Sequence, residues 1–231
     1  MKTVLITGAN RGIGLEHATR FAASGATVFA GVRDAAKAAD LKKLAEKYPG
    51  KISLFDYDAR EEDAAASAKA AVAKTPLDLV FANAGVFERG HQEFGEIAPA
   101  NFMDSIKVNT LAPLLLAEAL VDEVAASTRK IIAFQSSQLG SNADSRTGSY
   151  YAYRASKAAL NKVSSSLAAE LKPRGITVVS LHPGWVRTDM GGANADISVA
   201  ECVDGQQKVL NGLTLAQSGG FYSYDGRTIN W

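Results

Sequence analysis

Short β-branched runs alternate with Ala-rich segments of helical period from one end of the chain to the other. The apolar runs Thr3–Thr7, Thr27–Val32, Ile52–Asp56, Leu77–Ala82, Lys130–Gln135 and Ile176–His182 predict six strands, with a last short one near Gly220–Tyr222. They are nearly continuous in apolar residues, as expected where both faces of a sheet are covered. Between them, Gly12–Ser24, Asp34–Lys47, Arg60–Lys74, Asn101–Ala126, Tyr151–Leu171 and Glu201–Leu213 predict helices. Gly25, Gly50 and Gly175 punctuate the returns to strand, and Asp34 is placed to cap the second helix. Strict βαβ alternation predicts an α/β fold: a doubly wound, Rossmann-like parallel sheet of about seven strands with helices on both faces. No linker-like stretch or repeat interrupts residues 1–231, so one domain is expected.

Composition narrows the partners. The chain carries a formal net charge of +1, so no overall field favours nucleic acid or an acidic membrane. Cys202 is the single cysteine, which excludes an internal disulfide and fits a reducing compartment. The apolar run that Gly8 closes is too short for a signal-peptide core. The stretch Leu111 to Leu120 contains Pro113 and Glu118 and is too short to span a bilayer. A soluble, cytoplasmic protein is expected. His17, His91 and His182 lack metal-ligand spacing, and no G-x-S-x-G elbow signals a serine hydrolase.

Chemistry enters at three places. Thr7-Gly8-Ala9-Asn10-Arg11-Gly12-Ile13-Gly14 follows the first strand and opens a helix. Its glycines would let the chain turn, let a pyrophosphate approach the backbone and let helix pack on strand, with the helix N-terminus facing the phosphates. Tyr153 and Lys157 lie four residues apart, about one turn along one helical face. A fixed cation there would lower a phenol's pKa from about 10 and make it a proton donor and acceptor near neutrality. Ser137 precedes the pair by sixteen residues. At the end of the second strand, Arg33 could hold a 2′-phosphate, whereas a ribose-selecting acid would have to be Asp34, for which a helix cap is the better account.

The ordered set of motifs resembles the short-chain dehydrogenase/reductase family across the whole chain: the glycine loop, Asn83-Ala84-Gly85, Asn109 within Lys107-Val108-Asn109-Thr110, Ser137-x-x-Gly140, Tyr153-x-x-x-Lys157 and Pro183-Gly184. The segment from Pro183 to Gly192 and the tail from Ser218 to Trp231 look like the C-factor/sniffer-type carbonyl reductases. The resemblance implies a catalytic set of Asn109, Ser137, Tyr153 and Lys157, with no metal. Tyr153 would donate the proton, Lys157 lower its pKa, Ser137 orient the substrate oxygen and Asn109 hold a water that links Lys157 to solvent. It implies NADP(H) contacts from Gly8, Asn10, Arg11, Gly12, Ile13, Gly14, Arg33, Asp56, Asn83, Ala84, Gly85, Pro183, Gly184, Val186 and Thr188. Asn83 would act through its backbone. Asp56 would accept from the adenine amino group, with a turn carboxylate as the competing reading, and Thr188 is either a cofactor contact or a turn residue.

Substrate loops are expected near 86–96, 138–151 and 185–199. Val86, Phe87, Leu139, Trp185 and Met190 would form an apolar wall, which suits a small uncharged ketone, aldehyde or secondary alcohol. The segment 185–199 reads as a mobile flap. The small residues Ala152, Ala155, Ser156, Ala158 and Ala159 would permit close helix packing, and the family implies a homodimer or homotetramer. The activity expected is NADP(H)-dependent reduction of aldehydes or ketones; the alternative is a nucleotide-binding signalling or regulatory protein with little turnover.

Overall fold

The computed structural model describes residues 1–144 and 147–231; Ser145 and Arg146, within the expected loop 138–151, lie outside the described residues. One sheet contains β1 (Thr3–Thr7), β2 (Thr27–Val32), β3 (Ile52–Asp56), β4 (Leu79–Ala82), β5 (Ile131–Gln135), β6 (Thr177–His182) and β7 (Phe221–Ser223). The strand order is β3-β2-β1-β4-β5-β6-β7, and every pairing is parallel. The chain direction across the sheet reverses between β1 and β4, and a ligand crevice forms beyond the carboxyl ends of strands at such a point.

The helices are α1 (Gly12–Ala23), α2 (Ala39–Lys47), α3 (Ala64–Val72), α4 (Pro99–Ile106), α5 (Ala112–Ala125), α6 (Tyr151–Leu171) and α7 (Val199–Gly212). Leu5, Val80, Ile132, Phe134 and Val178 pack with Ala68, Leu116, Leu120 and Leu160 of α3, α5 and α6. Val4, Ile6, Phe81, Ala133 and Val179 point the other way, into Ala18, Phe21, Leu41 and Leu210 of α1, α2 and α7. Successive strand residues thus enter opposite cores, which is why the strands are apolar throughout. Among the described residues no helix is long and apolar enough to cross a membrane.

Three expected helices differ in detail. Asp34 caps a short 3₁₀ turn, Ala35–Lys37, and α2 begins only at Ala39. The segment 60–74 is helical from Ala64 to Val72 and stops where Ala73 and Lys74 take positive φ of 45° and 66°. The long middle helix is divided by a π turn, Lys107–Leu111, between α4 and α5. Pro113 lies just beyond that turn and, having no N–H, cannot donate to the carbonyl of Asn109.

Candidate active site

The phosphate loop is held by its neighbours as much as by its glycines. Gly8 and Gly12 have φ of +67° and +52°. A Cβ on Gly14 would lie 2.3 Å from the carbonyl oxygen of Gly8, so only glycine lets α1 seat against the loop. Arg11, the residue before α1, provides no side-chain cap, which leaves the first N–H groups of the helix for an anion. Asn83 Nδ2 donates to the carbonyl oxygens of Thr7 at 3.0 Å and Gly8 at 3.3 Å. Thr7 Oγ1 accepts the N–H groups of Asn83 and Ala84, each at 3.1 Å. Asn83 therefore laces the loop to the end of β4 with its side chain as well as its backbone N–H. Asn10 is exposed at the mouth, and Ile13 packs into a small cluster with Val186, Ile197 and Cys202.

At the end of β2, Val32 is buried and Arg33 is exposed. Asp34 turns back on its own turn: it accepts the Lys37 N–H at 3.2 Å and pairs with Lys37 Nζ at 2.7 Å. Lys37 holds its carboxyl below the usual carboxylate range. Asp56 Oδ1 accepts the Ala35 N–H at 2.7 Å, so that carboxylate has a turn-fixing partner.

The catalytic candidates come from β5, the π turn and α6. Ser137 follows β5 and accepts the Leu139 N–H at 3.2 Å. Tyr153 and Lys157 share a face of α6, with Lys157 Nζ 5.7 Å from the centre of the Tyr153 ring. Lys157 Nζ donates to the carbonyl of Gln135 at 2.8 Å. Burial pulls the Lys157 ammonium down to about 7. Burial also pushes the Tyr153 phenol up to about 12, against the opposing effect of its hydrogen bond with Ser137. Desolvation is thus the larger cause at Tyr153, and it acts against the lowering expected from the spacing of the pair.

Asn109 is fully committed. Its Nδ2 donates to the carbonyl of Val86 at 2.9 Å and to Ser156 Oγ at 3.0 Å, and its Oδ1 accepts the Val86 N–H at 2.8 Å. Ser156 Oγ in turn donates to the carbonyl of Tyr153 at 2.8 Å, and Thr110 Oγ1 donates to the carbonyl of Ser156 at 2.8 Å. The π turn is therefore docked on the turn of α6 that carries Tyr153. A Cβ on Gly85 would lie 3.1 Å from Asn109 Oδ1 and 3.6 Å from Lys157 Nζ, so Gly85, Asn109 and Lys157 converge. Ala152 and Ser156, expected to serve contacts between subunits, are buried within the chain.

Beyond β6, Gly184 has φ +80°, and a Cβ there would lie 2.8 Å from Ile197 Cδ1. The buried Val186 bridges to Ile197 and follows Pro183-Gly184 in the wall of the crevice. Thr188 accepts the Gly191 N–H at 3.1 Å, and its methyl would meet a Cβ on Gly12 at 3.3 Å. The segment 185–199 thus lies over the phosphate loop. It is tethered by the Arg11–Asp189 pair at 2.5 Å and by Arg89 to the carbonyls of Asp189 and Met190 at 3.0 and 3.2 Å. Phe87 stands edge-on to Tyr153 at 4.9 Å, while Trp185 and Met190 are exposed.

Several supports escaped the motif reading. Asn161 Oδ1 accepts from Ser136 Oγ at 2.6 Å and its Nδ2 donates to the carbonyl of Gly140 at 3.2 Å, which ties the Ser137 loop to α6. The only sequence signal was a polar residue on the helix face that continues from Lys157. His17 and Gln206 bond at 2.9 Å in the core, and His182 accepts the Gln138 N–H at 3.2 Å. His17 and Cys202 are buried, and His182 is partly buried.

Residues 2–197 match the short chain dehydrogenase family. Carbonyl reductase Sniffer of D. melanogaster is 33% identical with a TM-score of 0.91, over 100% of both chains. The NADPH-bound carbonyl reductase from chicken fatty liver is 34% identical with a TM-score of 0.91, over 100% of this chain and 99% of that one. C-signal of Myxococcus xanthus is 36% identical over 156 residues, 68% of this chain and 93% of its own. The chain therefore belongs to the short-chain dehydrogenase family, in the branch of the C-factor and Sniffer-type carbonyl reductases.

Proposed function

We propose that the protein is an NADP(H)-dependent carbonyl reductase that acts on small uncharged ketones or aldehydes with Tyr153 as the proton donor. The observation that carries this reading is the convergence of Ser137, Tyr153 and Lys157 beside a glycine loop whose helix N-terminus has no side-chain cap. The residues present fit the dinucleotide. Gly8, Gly12 and Gly14 leave backbone where side chains would fill the cradle, and Arg33 stands exposed where a 2′-phosphate would lie. Arg11 could join it at little cost, because an ion pair as exposed as Arg11–Asp189 contributes only about 0–1 kcal/mol. The bound NADPH of the chicken enzyme supports the same cofactor here.

NADPH, when bound, supplies the hydride. The side chains do the rest. A phenol at about 12 keeps its proton through neutral pH, the state a donor to a carbonyl oxygen needs. Ser137, already bonded to Tyr153, is placed to donate to the same oxygen and orient it. As negative charge passes to the phenol oxygen, the nearby Lys157 is drawn to its ammonium form and stabilises it. The side chain of Asn109 is occupied, so a water linking Lys157 to solvent would rest on the Asn109 carbonyl, to which Pro113 cannot donate. Phe87, Trp185 and Met190 give the substrate an apolar wall. Exposed Met103 and Leu111, on the α4–α5 face, support assembly as a homodimer.

Tyr153→Phe tests the chemistry. Turnover of a ketone should fall by about 10²-fold or more, the usual contribution of a positioned acid, with NADPH binding retained within about threefold by fluorescence titration. Turnover within tenfold of the parent protein would overturn the proposal. The similarity to C-signal favours one second reading, a signalling role that uses the nucleotide site with little turnover; a biological effect that survives in Tyr153→Phe would select it.

A further inference from the structure

The loop from β4 to α4 is exposed from Arg89 to Ile97 except at one residue, Gln92, which is 2% exposed. A buried amide in an otherwise solvated loop needs partners, and Gln92 finds them at the start of α6. Its Oε1 accepts the N–H of Tyr153 at 3.0 Å, and its backbone carbonyl accepts the N–H of Tyr151 at 3.3 Å. Its Nε2 donates to the carbonyl of Glu88. Two of the four N–H groups that open any α-helix are thus satisfied by one residue 59 to 61 positions earlier in the chain.

The helix cannot cap itself. Tyr150, in the cap position, offers no side-chain bond and has φ 54°, and Ser149 before it has φ 69°. Two successive non-glycine residues in the left-handed region cost on the order of 1–2 kcal/mol each. His91, beside Gln92, also lies in the left-handed region, with φ 55°. Ser149 Oγ donates to Glu93 Oε2 at 2.5 Å, and the Phe87 ring closes on Tyr150 at 5.2 Å and on Tyr153 at 4.9 Å.

We propose that Gln92 is a positioning residue for the catalytic helix: as the cap that α6 lacks, it sets the height of Tyr153 against Ser137 and couples the order of the substrate loop to proton donation. A cap on this helix serves more than stability, because the bonded N–H belongs to the proposed acid itself. A loop shift would move the phenol by the same displacement, and misplacement of about 1 Å at such a centre costs about 10²-fold in rate. This inference rests on the reading of Tyr153 as the donor.

The test compares Gln92→Met, which keeps the volume and removes the acceptor, with Gln92→Glu, which keeps an acceptor at a helix N-terminus. Gln92→Met should lower kcat for a ketone at least tenfold with KM for NADPH within twofold, because the glycine loop lies elsewhere. Gln92→Glu should recover most of the lost kcat. If Gln92→Met does not fold, Gln92→Asn, which withdraws the amide by one methylene, is read by the same criteria. A kcat within twofold of the parent, or a kcat loss that Gln92→Glu does not relieve, overturns the proposal. Tyr153→Phe, run alongside, separates the two ideas: if it kills turnover while Gln92→Met does not, Gln92 is no positioner; if Tyr153→Phe itself turns over, the donor assignment has failed.

Discussion

Lys157 and Tyr153 lie one helical turn apart, as their spacing requires, yet neither has the acidity that spacing alone suggests. The phenol stands at about 12 and the ammonium at about 7, because burial disfavours the charged form of each. Proximity is set by the helix; the electrostatic balance is set by what surrounds it. Arg33 offers the sharpest test of a single side chain. Asp34 and Asp56 are bonded into the turn that follows β2, whereas Arg33 is exposed at the end of that strand. Arg33→Gln should raise KM for NADPH by about 10–100-fold, the loss of one or two charge-assisted bonds, and change KM for NADH less than twofold. Steady-state kinetics with both cofactors check it, and equal effects would remove Arg33 from the 2′-phosphate site. That Ser137, Tyr153 and Lys157 come together was legible in their spacing. Asn83 was legible only as a motif member, since the bonds its side chain makes to Thr7 and Gly8 join segments some 75 residues apart.

Elements meet in this protein through small residues and buried amides. Gly140 shows the constraint: a Cβ there would lie 2.6 Å from the carbonyl carbon of Lys157 and 2.8 Å from the Ala158 nitrogen, so the turn after β5 presses on the backbone of α6. Gly140→Ala forces these two elements apart. We expect a loss of about 1–3 kcal/mol, as for overpacking, and a lower kcat because α6 carries Tyr153 and Lys157. Thermal melting and turnover together check it, and an unchanged melting temperature would show that the contact can relax. The division of the middle helix follows the same logic. Its amphipathic pattern runs on through Asn101–Ala126, and Pro113 marks the trouble spot, but the π turn is fixed by docking: Asn109 and Thr110 are held by Val86 and Ser156.

Across the whole molecule, the buried His17 and the partly buried His182 carry a pH dependence. Burial holds both His17 and His182 at about 4, below the ordinary 6.5. Between those values the unfolded chain binds more protons than the folded one, so stability is full above about 6.5 and is lost as pH falls toward 4. The loss is on the order of 3 kcal/mol for a fully developed shift of this size. Melting temperatures measured from pH 7 to pH 4 should fall, and His17→Gln, which does not titrate there, should flatten the slope. A slope unchanged in that variant would assign the acid sensitivity to other groups. Strand and helix periods, the glycine loop and the order of the motifs were decided by the sequence alone, because each depends on neighbours a few residues apart and on which face must be covered. Asn83 lacing the loop, the docked π turn ahead of Pro113, Gln92 capping a distant helix and the acidities of Tyr153 and Lys157 were decided only by the tertiary structure. Those features depend on hydrogen bonds and desolvation between segments far apart in the chain, and no local pattern encodes which of them will meet.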